Sequence, residues 1–423
     1  MTEPPPTAQA RRSGRRPLWL AGAAALVTLL SIVGLYSRQA REATVDQSAS
    51  APNGLFLASQ AEGTTLASVG RAAGLPAPCT AWLLDTGGSA ADPAFAVTAA
   101  PCVGVTGSAA VRWDEPVQGA TLVLHAFAPM TSTVEPDLVT VPITEVAWAS
   151  ARWTNLAVVG LGATVGQLVD RGIRPIRVAA VPAPGTKVLV AGVPVDGVAQ
   201  DQRYLRGATC TVADSTDLLE GPWVWRDVLG SDCGGTLGGS AGSPALDVAG
   251  DAVAMVVSTT IAMPEAPDCA RGRPCEVRAG AVQPPRADTT YLVGVAGLAG
   301  CFRDGALSLG TGCPLEDPTG VAPAAALTPV AAPGSTVAVR LDPRLAAPRV
   351  VADRVGPLAT LDCTRPAGWS RPVPARRWAL DVTLPEQEGW TLACVGSAQQ
   401  PTPVVLRAAA STSGAPVGQE PSR

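Results

Sequence analysis

The sequence predicts an all-β protein, and three observations carry that expectation. Short apolar runs rich in Val and Leu, bounded by Gly, Pro or Asp, recur along the chain: "CTAWLLD", "AFAVTAA", "ATLVLHAFA", "LAVVGL", "KVLVAGVPV", "DAVAMVVSTT" and "YLVGVAGL". Runs of about four to eight such residues read as strands. Glycine (44) and proline (40) are abundant while aromatics are only 4%, a balance that favours many strands joined by turns over long helices. Of the 423 residues, 47% are hydrophobic and 16% charged, enough apolar surface for a sizeable core and for two or three domains.

The elements follow in order. Residues 17–36, "PLWLAGAAALVTLLSIVGLY", carry no charge and are long enough to cross a bilayer as one helix. They follow "RRSGRR" in residues 1–16, and arginines on that side hold the N-terminus in the cytoplasm. The expectation is a single-pass anchor with the bulk of the chain extracytoplasmic; a cleaved signal peptide is the alternative, with a shorter apolar run than this one. Residues 37–55 are small and polar, a flexible spacer. A β domain is expected over 56–315, a Pro/Ala linker over 316–335, a small β-sandwich over 336–407 and a disordered tail over 408–423. No internal repeat is visible.

Ten cysteines agree with an exported chain, where an even number reads as disulfides. Zinc would want histidines and C-x-x-C spacing, and the chain has one histidine, His125, and no C-x-x-C. No metal or cofactor is expected. Sequence alone does not fix connectivity; sequential pairing gives Cys79–Cys102, Cys210–Cys233, Cys269–Cys275, Cys301–Cys313 and Cys363–Cys394. The last could bridge the two sheets of the sandwich, as in immunoglobulin-like domains. With 31 basic against 35 acidic residues and no extended basic patch, nucleic acid is not an expected partner.

Three stretches in order carry chemistry, or the memory of it. "FAVTAAPCV", 95–103, resembles the strand end that presents the catalytic histidine in trypsin-like serine proteases, usually T-A-A-H-C. "WTNLAVVGL", 153–161, resembles the segment in which an aspartate precedes an apolar strand. "GGSAGSPALDVAGDAVAMVVS", 238–258, resembles the nucleophile loop, G-N-S-G-S-P in bacterial members, and the hairpin after it. The chain order is that of the chymotrypsin type. The resemblance implies a two-barrel domain over about 75–300 and supports the Cys79–Cys102 bridge.

It also places Pro101, Asn155 and Ala241 where histidine, aspartate and serine belong. A one-residue insertion would instead make Ser240 the nucleophile, and both alignments stay open. Peptide hydrolysis needs a serine activated by a base, and a histidine held in the right tautomer. Pro101 moves no proton and Ala241 has no oxygen; loss of one essential member costs nearly as much as loss of all, on the order of 10⁶. The expectation is therefore a pseudoprotease. A rescue through His125, or through Lys187 as partner of Ser240, requires residues whose surroundings read as a strand and a turn. The backbone amides of Gly239 and Ala241 could survive as an anion-accepting notch. "AMVVSTT" could still receive an extended peptide by strand addition, unless the cleft is filled by its own loops. A protein or peptide partner in the cell envelope, an active peptidase using Ser240, and an envelope structural protein binding through its C-terminal sandwich are the competing functions.

Overall fold

The computed structural model describes residues 54–409, apart from 62, 108–110, 129–136, 197, 262–264, 317–323, 327–329, 342–349, 375–378 and 397–400. The apolar segment 17–36, the spacer up to 53 and the tail from 410 lie outside the described residues; among those described, no helix is long and apolar enough to cross a membrane.

The strands β1 (Val69–Ala73), β2 (Cys79–Leu83), β3 (Pro93–Thr98), β4 (Val111–Leu124), β5 (Val139–Ser150) and β6 (Leu156–Thr164) close into a barrel in the order β1-β2-β3-β6-β5-β4. Proline opens β3, a position where its missing N–H breaks no ladder. A second set follows: β7 (Lys187–Gly192), β8 (Arg206–Glu220), β9 (Trp223–Ser231), β10 (Pro244–Leu246), β11 (Ala252–Thr259) and β12 (Thr290–Gly294). β7 pairs with β8, β8 with β9, β9 with β12, β12 with β11, β11 with β10, and β10 with β7. That circuit also closes, and its order, β7-β8-β9-β12-β11-β10, retraces the path of the first barrel. The backbone repeats where the sequence does not.

Closure removes exposed sheet edges and fills both barrels with the Val- and Leu-rich runs. One buried cluster runs from Trp82, Leu122 and Val158 of the first barrel to Trp225, Met255 and Tyr291 of the second. Another, with Val188, Val212, Leu229, Ala245, Val256 and Leu292, draws on all six strands of the second barrel. All five disulfides form in the sequential pattern, which marks a chain of an oxidising compartment.

The C-terminal part is a sandwich. β13 (Thr336–Leu341) and β14 (Ala379–Thr383) lie in a three-stranded sheet with Ala324–Ala326. β15 (Val350–Pro357), β16 (Gly389–Gly396) and β17 (Pro401–Ala408) form a five-stranded sheet with Val330–Ala331 and Val373–Pro374. Two of those short strands fall inside the stretch expected to be a linker, 316–335. Its start is also pinned: the Trp148 indole donates to the Glu316 carbonyl (2.9 Å) and the Arg152 guanidinium to the Glu316 carboxylate (2.7 Å).

The Cys363–Cys394 bridge does not join the two sheets. Cys363 lies in the turn region after β15, and side chains on β16 alternate. Ala393 and Val395 enter the sandwich core, whereas Leu392 and Cys394 enter a cluster with Leu219, Val224, Cys269 and Cys275 of the second barrel. Both faces of this sheet are covered, and the disulfide sits on the face that meets the barrel.

Candidate functional site

The three singled-out stretches are linked by a side-chain hydrogen bond, a disulfide and a backbone hydrogen bond through β2. Ala100–Val103 is a single 3-10 turn capped by Ala99, with Pro101 in its first positions. A helix start has free N–H groups in any case, so proline costs no hydrogen bond there. The Pro101 carbonyl accepts from the Gly104 amide at 3.0 Å. Asn155 is fully buried. Its Oδ1 accepts from the Ala100 amide at 2.9 Å, while its buried Nδ2 has no partner among the described residues. Residues 155 and 101 are thus one residue apart across a hydrogen bond.

The third stretch joins through the disulfide. Cys102 is bonded to Cys79, and the next residue, Thr80, donates its amide to the Ala241 carbonyl at 2.9 Å. The Thr80 hydroxyl donates to the Gly239 carbonyl (3.0 Å) and accepts from the Val193 amide (2.9 Å). Within the loop, Ser240 donates to the Leu237 carbonyl (2.9 Å) and Gly242 to Val256 (2.8 Å). Two glycines make this turn possible. Gly242 has φ +91 and an added Cβ would lie 2.0 Å from the Thr80 carbonyl; Gly239 has φ +97 and would meet the Val195 amide at 2.7 Å. Among the described residues, no backbone hydrogen bond of this loop uses the Gly239 or Ala241 amide.

Ser240 is 4% exposed. It borders a cavity of about 20 Å³ with Gly192, Gly234, Thr236 and Ser243, room for about one water. Behind it the Thr236 hydroxyl meets those of Thr290 (2.5 Å) and Thr259 (3.2 Å), and Thr290 donates to the Cys233 carbonyl (2.9 Å). These hydroxyls satisfy one another. His125 lies just past β4 with φ +57 and stacks on Phe127 at 5.6 Å; it is a turn residue, not the strand residue expected. Lys187 is exposed, as the sequence suggested, but it is the first residue of β7, paired with Thr211, rather than part of the preceding turn.

The strand end proposed to receive a peptide continues its pairing with β12. Thr260, 2% exposed, donates its amide to the Thr289 carbonyl at 2.8 Å, and the Ile261 amide donates to the Thr259 hydroxyl at 3.1 Å. Ser258 lies beside the Glu220 carboxylate, which accepts from the Gly272 amide at 2.8 Å. Burial pushes Glu220 above the usual carboxylate range, opposed by the Gly272 amide, the Ser258 hydroxyl and Arg271. Nothing local in "DLLEGPW" announces this residue, because its neighbours come from distant loops. Burial, followed by the adjacent Glu276 carboxylate, likewise raises the Tyr291 hydroxyl above its ordinary value.

Two closed six-stranded rings of identical strand order, with the three landmark stretches linked through Asn155, the Cys79–Cys102 bridge and Thr80, define a trypsin-like two-barrel architecture. Solved structures similar to this chain are trypsin-like proteases, inactive members among them. The scabies mite inactivated protease paralogue S-I1 overlaps 56% of this chain and 93% of its own at 16% identity, TM-score 0.38. The MamO protease domain of Magnetospirillum magneticum overlaps 57% and 98% at 15% identity, TM-score 0.36. The inactive form of the Mycobacterium tuberculosis protease Rv3671c overlaps 56% and 87% at 16% identity, TM-score 0.33. At these values the fold rests on the rings themselves. No family model and no curated protein matches the chain.

Proposed function

We propose that this chain is a catalytically silent, trypsin-like module of the cell envelope, held by its N-terminal apolar segment, that works by recognition or scaffolding rather than by hydrolysis. One observation carries the reading. The three places where a base, its orienting partner and a nucleophile belong are tied together by the Ala100–Asn155 bond, the Cys79–Cys102 bridge and the Thr80–Ala241 bond, and they hold Pro101, Asn155 and Ala241. No group among them accepts a proton near neutral pH. The Gly239 and Ala241 amides support a residual notch for an anionic oxygen.

Ser240 is the one hydroxyl next to the place of the nucleophile, and it needs a base to act. Treating the purified ectodomain with a fluorophosphonate probe tests the reading: no covalent adduct is expected, and an adduct on Ser240 would overturn it. The scaffolding side is favoured by the buried Thr260 and by the sandwich. The five-stranded sheet of the sandwich spends its outer face on the second barrel, which leaves that face unable to bind a partner.

A further inference from the structure

The contacts around Glu220 extend beyond one buried acid. The tip of the β8–β9 hairpin and the loop Cys269–Cys275 are built as one unit. Gly221 donates to the Cys269 carbonyl (2.6 Å), Gly272 to Glu220 (2.8 Å), and Cys275 and Glu276 pair with Leu219 and Leu218. The Arg271 guanidinium stacks on the Trp223 ring at 4.6 Å. This unit belongs to the second barrel but ends on the first. Arg271 donates to the Thr106 carbonyl at 3.1 Å, a few residues after Pro101. The Arg226 amide donates to the Trp153 carbonyl at 2.9 Å, two residues before Asn155.

The opposite side of the unit is covered by the sandwich. Its Cys269–Cys275 bridge shares a buried cluster with Leu358, Leu392, Val405 and the Cys363–Cys394 bridge. Arg226 links the two sides: its guanidinium lies 4.5 Å from the Trp153 ring and reaches the Leu361 carbonyl at 3.5 Å.

We infer that the hairpin tip and the Cys269–Cys275 loop are a plug, spanning the two barrels with Glu220 set beside Ser258 at the strand end, and that the C-terminal sandwich is the latch that keeps it seated. The plug holds Glu220 beside Ser258, and with the latch displaced that point of the strand end opens to solvent. This rests on reading the chain as a silent protease-like module, since an active enzyme would need the cleft open.

Amide hydrogen exchange on the intact disulfide-bonded ectodomain tests it independently of any catalytic assay. Arg271→Ala frees the plug from the first barrel and is expected to speed exchange at Gly272 and over 258–261 by tenfold or more, with the sandwich strands unchanged. Leu358→Ala thins the latch and is expected to speed exchange at the same two places, with the first barrel unchanged; Arg226→Ala serves the same purpose if that variant fails to fold. Unchanged exchange at Gly272 and 258–261 in Arg271→Ala overturns the plug. Loosening of the sandwich alone in the latch variants overturns the latch. Fluorophosphonate labelling of the wild type would sink the silent-module reading while leaving these exchange rates as they are.

Discussion

Replacing Pro101→His and Asn155→Asp, singly and together, tests whether the two positions face one another as the contacts imply. Asn155 is fully buried with one oxygen fixed on the Ala100 amide at 2.9 Å. Asn155→Asp alone keeps that bond but buries a second carboxylate oxygen beside no donor, a loss of about 3–5 kcal/mol while it is ionised. Pro101→His alone restores an N–H at a turn start that does not require a partner, so its cost stays below about 1 kcal/mol. In the double variant the imidazole stands one residue from the anchored carboxylate and donates to it. A hydrogen bond to a charged group contributes about 1.5–3 kcal/mol, which is the expected coupling.

The pH dependence fixes the sign. An imidazole that gains an anionic partner has its folded-state pKa raised above about 6.5. The coupling is therefore present near pH 6, provided the carboxylate is ionised, and is lost as pH rises through the raised value. Urea unfolding of the four disulfide-intact forms at about pH 6 and pH 9 measures it. If the four stabilities add to within about 0.5 kcal/mol at the lower pH, the side chains do not meet, and the placement of the silent triad fails.

Two further outcomes follow from single residues. Glu220 is an acid whose folded-state pKa is raised by burial, so the unfolded chain gives up its proton first and stability falls as pH climbs from the ordinary carboxylate range toward the raised value. Glu220→Gln is expected to flatten that fall; Asp217, also raised by burial, remains in both forms, so the difference in slope belongs to Glu220, and identical slopes would refute its buried ionisation. Gly242→Ala puts a Cβ 2.0 Å from the Thr80 carbonyl at φ +91 and is expected to lower stability by about 1–3 kcal/mol or more; a loss under about 0.5 kcal/mol by urea unfolding would mean the loop has another conformation.

What could be read ahead of the structure was local. Val- and Leu-rich runs such as "LAVVGL" are the strands they promised, and the five bridges follow the sequential pairing, though only Cys79–Cys102 had support, from the family resemblance. What could not be read was pairing at a distance. The second barrel repeats the path of the first because strand order is a backbone property, while the side chains of β7–β12 carry no trace of β1–β6. The sandwich bridge was misplaced because "TLACVG" is apolar at successive positions. That is the mark of a strand buried on both faces, and it gives no sign of which face a cysteine takes. "AAALTPVAA" has a linker's composition, yet Ala324–Ala326 and Val330–Ala331 pair as sheet edges, where short strands near proline are tolerated. The Arg271–Thr106 bond joins residues 165 apart, beyond any local pattern.

The residues at 101, 155 and 241 each suit what their position does for the fold. Residue 101 contributes only backbone: its turn is held by the Cys79–Cys102 bridge and the Gly104 amide, and its place at the turn start suits proline. Residue 241 likewise contributes a carbonyl, taken by the Thr80 amide, so a methyl side chain leaves the loop intact. Residue 155 is different, because its side chain is the acceptor for a buried backbone amide, and an unpaired buried N–H costs about 1–3 kcal/mol. A carboxylate buried there would be costly without a cationic or donor partner at position 101; a carboxamide keeps the acceptor without the charge. Once the imidazole is absent, asparagine is the residue that still closes the turn, whereas the other two places are free to hold proline and alanine. Proline, asparagine and alanine are the set that the proposed silent module requires of a barrel pair that keeps its architecture.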